Sequence, residues 1–142
     1  MTATRIALVG VGTAPLSVAE HEAAVDDPRA GGRVVFSGVV RDHDHGRVVA
    51  ELEYQGHPSA GAVLTEIAER FAAEPDVIAV AVSHRVGPLA VGDVALVAAV
   101  ATAHRREAFE ICARLVEEVK HTLPIWKRQV FADGTDEWVN CP

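Results

Sequence analysis

Lys120, His121, Lys127 and Arg128 fall within nine residues of a chain that is acidic overall, with 20 Asp and Glu against 13 Lys and Arg. A cation near the C-terminal end of a helix is favoured by the helix dipole, by roughly 0.3–1 kcal/mol. That accounts for Lys120 and His121. It does not account for Lys127 and Arg128, which lie beyond Pro124. Pro124 redirects the chain, Ile125 and Trp126 have the character of anchors, and such a turn can bring Lys127 back toward Lys120. Two ammonium groups held close disfavour each other's charge. A lysine tuned in that way serves as a general acid or base, or binds an anion. Arg41 and the pair His104-Arg105 add cations at a strand end and a helix start. Thr102 or His104 would stand at the helix N-cap, where backbone N–H groups also attract anions. The set suits a phosphate-bearing substrate. Composition and spacing alone reach an anion-binding or lysine-dependent site and stop there.

The elements that must position these groups are legible in the pattern. Arg5 to Val11 reads as a strand. Ser17-Val18-Ala19-Glu20 is a capping box for a short helix to about Val25, stopped by Asp26-Asp27-Pro28. Arg33 to Arg41 is a β-branched run, Asp42 to Gly46 a polar loop, and Val48 to Gln55 a further strand. The two strands are expected to form a hairpin with a long mobile tip. Pro58 opens a helix to about Ala73, with Val63, Leu64, Ile67, Ala68 and Phe71 at helical spacing, and Pro75 ends it. Val77 to Val86 and Val94 to Ala101 are valine-rich strands with turns at Gly87-Pro88-Leu89 and Val91-Gly92-Asp93. The longest helix runs from about Arg105 to Thr122, with Ala108, Cys112, Leu115, Val116 and Val119 as its core stripe. Trp126 to Phe131 and Glu137 to Val139 are short strands joined through Asp133-Gly134. Strands come in pairs instead of alternating strictly with helices, which favours α+β over a doubly wound parallel sheet.

The bulk numbers exclude several classes. A chain of 142 residues fits one domain and buries roughly two thirds of its unfolded surface without disulfides or metal. A formal net charge of −7 argues against broad nucleic-acid binding, which needs a basic face. No apolar run is long enough to span a bilayer, and Arg5 to Val11 is better read as a strand than as part of a signal peptide. Cys112 and Cys141 form no CxxC pair, and a reduced cytoplasmic setting is expected. Cys112 lies on the apolar stripe of the long helix, where burial would blunt its thiol. Cys141, next to the chain end, is expected to be mobile. Gly10-Val11-Gly12 lacks the third glycine of a dinucleotide loop. Asp42-His43-Asp44-His45 offers four metal ligands in a row, but a solvated hairpin tip accounts for it better. His84-Arg85 ends a strand and is assigned a structural role.

At these residues a family resemblance enters. Gly38-Val39-Val40-Arg41, Ser83-His84-Arg85-Val86-Gly87, Thr102-Ala103-His104-Arg105 and Lys120-His121-Thr122-Leu123-Pro124-Ile125-Trp126-Lys127 occur in that order, and the pattern continues through Asp133-Gly134 and Trp138-Val139. The ordered set resembles the large, catalytic subunit of molybdopterin synthase over nearly the whole chain. The resemblance implies a single domain over residues 1–142, of α+β class, with an α/β-hammerhead-like fold and an additional small antiparallel sheet. It implies a sulfurtransferase that converts cyclic pyranopterin monophosphate into molybdopterin by installing a dithiolene. The sulfur would arrive as a thiocarboxylate on the C-terminal glycine of a small ubiquitin-like partner subunit. No metal and no cofactor are implied, and no cysteine of the chain's own.

Carried over residue by residue, the resemblance makes Lys120 and Lys127 the catalytic lysines. Arg41, His104 and Arg105 become substrate- and phosphate-contacting positions. Val39, Val40, Arg128 and Gln129 lie in segments that line the substrate pocket, and Phe36 is placed near the partner's tail. The chain also departs from the pattern. Gln129 stands where the family commonly has Glu; an amide can hold a lysine but cannot shuttle a proton. Tyr54-Gln55-Gly56-His57-Pro58 drifts from the usual form, and the basic tail residue of many relatives has no counterpart.

Arg105 and Lys120 are fifteen residues apart, roughly 22 Å on one straight helix. Few small pterin phosphates reach that far. The expected site therefore straddles a twofold dimer interface, with His104 and Arg105 of one subunit facing Lys120 and Lys127 of the other. The homodimer would form the core of a heterotetramer with two partner subunits. Two rival readings stand beside this one: a non-catalytic paralogue that binds pterin phosphate or another anion, and a metal-binding module using His43 and His45.

Overall fold

The computed structural model describes residues 5–140; Cys141 lies outside them. In chain order the elements are β1 (Arg5–Gly12), α1 (Val18–Ala24), β2 (Gly32–Val39), β3 (His43–Asp44), β4 (Arg47–Gly56), α2 (Ala60–Ala72), β5 (Val77–Arg85), β6 (Gly87–Leu89), β7 (Val94–Thr102), α3 (Arg105–Thr122), β8 (Ile125–Phe131) and β9 (Asp136–Asn140). The mixed α+β class expected from the sequence holds.

One sheet has the order β1-β5-β7-β2, parallel at β1/β5 and antiparallel elsewhere. Its central strands are buried on both faces, and the two faces differ in size. Val80, Val82, Leu96, Ala98 and Val100 point into the larger core, where α2 and α3 bring Leu64, Ile67, Ile111 and Leu115. Ala79, Ala81, Ala99 and Ala101 point the other way, toward Val25 just past α1. Alanine on that face lets the short α1 lie close to the sheet. Leu64, Ile67, Leu115 and Ile125 are fully buried, each contributing roughly 1.5–3 kcal/mol. The Ser17 cap also forms, its hydroxyl accepting from the Glu20 N–H at 3.1 Å.

The second sheet has the order β3-β4-β8-β9, with β6 also on β4. Here the expected hairpin between the strands at 33–41 and 48–55 is corrected. β2 pairs with β7, whereas β4 pairs with β3, β6 and β8. A bulge between Gly38 and Val39 breaks the β2 register, and the chain then crosses to the other sheet. The polar segment expected as a long loop folds into β3 and a tight turn. His45 and Gly46 both take positive φ, 51° and 77°, as the two central residues of a type I′ hairpin turn do. β6 occupies residues whose pattern predicts a turn. Pro88 has no N–H to give a ladder, so a three-residue strand around it carries little sequence signal.

α3 runs unbroken from Arg105 to Thr122. It stops where Leu123 adopts an extended conformation before Pro124. The Pro124 carbonyl accepts from the His57 N–H at 2.9 Å, which fixes the turn into β8. Ile125 is the anchor expected there; Trp126 is exposed on the opposite face.

Candidate active site

The end of α3, the start of β8 and the crossing from β2 to β3 meet between the two sheets, and a cavity of about 260 Å³ opens among them. Lys120 enters from the last turn of α3 and Lys127 from β8. Val39, Val40 and Arg41 enter from the end of β2, and Gln129 from β8. The turn at Pro124 thus does bring both lysines to one cavity.

Strand alternation decides which residues of β8 take part. Successive side chains of a strand point to opposite faces. Ile125, Lys127 and Gln129 line the cavity. Arg128 faces away, its Nε 2.9 Å from Asp136 Oδ2, on a surface shared with Glu51, Glu53 and Asp93. The structure therefore does not bring Arg128 to the lysines.

His104 and Arg105 are not gathered there either. His104 is the N-cap of α3, in an extended conformation and without a side-chain cap bond; the Thr102 hydroxyl instead donates to its carbonyl at 2.6 Å. Both residues are exposed, at the far end of an 18-residue helix from Lys120, roughly 27 Å in length. Phe36 lies beside the cavity, not in it. Its ring edge would stand 3.4 Å from a Cβ at Gly38, and it lines a separate groove with Val34, Phe109 and Val116.

Four polar or aromatic residues that line the cavity, His43, Asp44, Tyr54 and His84, are not assigned to it by the sequence reading. Asp44 is the only carboxylate that lines the cavity among the described residues. Gln129 Nε2 donates to its Oδ2 at 2.8 Å, and Arg41 reaches Oδ1 at 3.4 Å. The Gln129 bond, chiefly, and the nearby charges of His45, Lys127 and Arg41 hold the Asp44 carboxyl below the usual carboxylate range. Gln129 is itself buried and also donates to Glu137 Oε1 at 3.3 Å.

His84 and Tyr54 form the back wall, their rings edge to face at 4.9 Å. His84 is 4% exposed. Burial, reinforced by the charge of Lys120, pushes its pKa down to about 4, while its bond to the Arg85 carbonyl pulls the other way. The imidazole is therefore neutral near pH 7. Its Nδ1 lies 2.7 Å from that carbonyl and must donate, so Nε2 keeps its lone pair. Alternation carries a signal for both residues: His84 continues the Val80, Val82 face of β5, and Tyr54 follows Leu52 on β4.

The cysteine reading is supported by geometry. Cys112 is buried and free, with its Sγ 3.7 Å from the Ala98 carbonyl. Burial pushes its thiol up to about 11, which removes the thiolate a sulfur carrier needs. Among the described residues no three His, Cys, Asp or Glu side chains gather as a metal site. What the cavity can do is hold an anion on Lys120, Lys127 and Arg41, and move protons through groups set in a half-dry wall.

Comparison with known proteins points the same way. The family model described as "MoaE protein" matches residues 11–122. The molybdopterin synthase catalytic subunit of Nostoc sp. is 41% identical over 129 residues, covering 89% of this chain and 78% of that protein. The crystal structure of molybdopterin synthase from Staphylococcus aureus superposes with a TM-score of 0.84 at 28% identity, covering 92% of this chain and 96% of that one. A complex of subunits 1 and 2 of molybdopterin-converting factor from Helicobacter pylori shares the fold, with a TM-score of 0.68 at 17% identity over 95% of this chain and 88% of that one. The chain whose two lysines converge on this cavity belongs to the MoaE family, that of the molybdopterin synthase catalytic subunits.

Proposed function

We propose that the chain is the sulfur-transferring large subunit of a molybdopterin synthase. It would take sulfur from the thiocarboxylated C-terminus of a small ubiquitin-like subunit and place it on cyclic pyranopterin monophosphate to form the dithiolene. The observation that carries this reading is the convergence of Lys120 and Lys127, from two different elements, on one cavity. Arg41 extends the cationic wall toward the exposed rim.

In this reading the two lysines stabilise the negative charge that builds up as the thiocarboxylate gives up its sulfur, and one of them moves the proton. Each C–S bond formed on the pterin replaces a C–O bond whose oxygen departs, and the spent tail leaves as a carboxylate, with water supplying its oxygen. Val39, Val40 and Gln129 shape the pocket, and Phe36 beside Gly38 meets the incoming tail. A thiocarboxylate brings its own sulfur, so the blunted Cys112 is no obstacle. The reaction calls for no cofactor, and its setting is cytoplasmic.

The site also draws on a second copy of the chain. Ligand pockets commonly span about 300–1,000 Å³, and the cavity of one protomer falls just short at about 260 Å³. His104 and Arg105 are exposed and do not line their own protomer's cavity. A twofold dimer would set them opposite the partner's lysines and supply a phosphate grip. With one small subunit per protomer this gives a heterotetramer.

The test supplies thiocarboxylated small subunit and cyclic pyranopterin monophosphate and measures dithiolene product. Lys120→Ala should lower turnover by about 10²–10⁴-fold, the usual range for a lost proton-transfer group. A wild-type chain that binds the pterin phosphate yet forms no product would instead establish the non-catalytic binding module.

A further inference from the structure

Among the described residues the cationic cavity contains one carboxylate, and its placement is specific. Asp44 sits at the end of β3, one residue before the tight turn, and its side chain is 17% exposed. Its two oxygens are engaged separately: Oδ2 takes the Gln129 amide at 2.8 Å, and Oδ1 faces Arg41 at 3.4 Å and His45 at 3.7 Å. The Gln129 amide that clamps Asp44 also reaches Glu137. A carboxylate at position 129 would face two others across hydrogen-bonding distance, and like charges so placed repel. An amide is what these neighbours require. Lys127 stands two residues from Gln129 on the same face of β8 and lines the same cavity as Asp44.

We infer that Asp44 and Gln129 work as an acid–amide pair in which Asp44 is the positioning residue for Lys127. Asp44 supplies the only carboxylate charge among the described residues lining the cavity that Lys127 enters, and Gln129 fixes the carboxylate's orientation. The inference rests on the sulfur-transfer reading and deepens it. It also gives a physical account of an amide at position 129: the carboxylate of this site is on β3, across the hydrogen bond. Glu137 is only half-buried and can turn to solvent, so the acid and the amide should be exchangeable between positions 44 and 129.

The experiment is dithiolene formation from thiocarboxylated small subunit and cyclic pyranopterin monophosphate by three variants. Asp44→Asn keeps the shape but leaves amide facing amide. It should lower kcat by about 10- to 100-fold, the cost of a misplaced catalytic group, with little change in KM for the small subunit. Gln129→Glu alone should also be slow, because it sets three carboxylates together. The double variant Asp44→Asn/Gln129→Glu restores one acid and one amide and should recover most of the lost kcat, which a merely structural role would not produce. Asp44→Asn with wild-type kcat, or a double variant no faster than Asp44→Asn, would overturn the inference while leaving sulfur transfer intact. A wild-type chain that forms no product would remove the sulfur-transfer reading and this inference with it.

Discussion

At the scale of the residue, His84 couples the cavity wall to folding. The folded-state pKa is about 4 against an ordinary value of 6.5, so the unfolded chain takes up the proton first. The stabilisation is therefore present in full above pH 6.5 and is lost as the pH falls from 6.5 toward 4. The whole shift corresponds to about 3 kcal/mol. Replacing His84 with Asn keeps a donor near the Arg85 carbonyl and removes the titration. Urea denaturation at about pH 7 and about pH 4.5, either side of most of that window, should show a smaller acid loss for His84→Asn than for the wild type. Equal losses in both proteins would mean that the fold does not hold His84 neutral. His84 also shows what the sequence hides at this scale. Its place at a strand end is readable, but its neutrality depends first on burial, in a wall where the Tyr54 ring of β4 packs on it, and then on the charge of Lys120 from α3, groups far apart in the chain. Asp44 is hidden for the same reason: in sequence it is one polar residue among four, and only pairing with β4 and the Gln129 amide sets it apart. Lys127 and Arg128 are the opposite case. With β8 recognised as a strand, period-two alternation already requires them to face apart.

At the scale of the element, the helices and the buried strands are legible because their signals are local. α3 has its apolar stripe, its proline stop and its cationic last turn, and it forms over the expected residues. The partner of each strand is not legible. β2 and β4 are near neighbours in sequence and β-branched, which suggests a hairpin, yet the bulge at Gly38-Val39 and the tight turn at His45-Gly46 send them to different sheets. That crossing is what puts Val39, Val40 and Arg41 on the cavity. The other end of β2 is fixed by a close approach. The Gly31 N–H donates to the Ala103 carbonyl at 3.1 Å, and a Cβ on Gly31 would lie 2.4 Å from that same oxygen. Gly31→Ala should therefore destabilise the fold by about 1–3 kcal/mol, the range for overpacking a tight site. At Gly61 in α2 an added Cβ would meet nothing within 4 Å. There the same substitution should stabilise, by up to about 1 kcal/mol. Chemical denaturation of the two variants should show shifts of opposite sign; a stable Gly31→Ala protein would mean the loop before β2 yields easily.

At the scale of the whole molecule, the two ends of α3 set the problem. Lys120 and the pair His104-Arg105 stand at opposite ends of one unbroken helix, so a single small ligand cannot touch both within one protomer. The proposed dimer resolves this by giving each site the lysines of one copy and the helix start of the other. It predicts complementation between inactive chains. Lys120→Ala and Arg105→Ala proteins should each be strongly impaired alone. When they are unfolded together and refolded at equal concentrations, half the dimers are mixed, and each mixed dimer holds one site with neither substitution. Dithiolene formation should then recover to about a quarter of the wild-type level, as expected for a twofold interface with two shared sites. Purified proteins mixed without exchange should stay inactive, which separates complementation from contamination. If the refolded mixture is no more active than its components, each protomer builds its site alone, and the phosphate must be gripped by Arg41 and the lysines without help from His104 and Arg105.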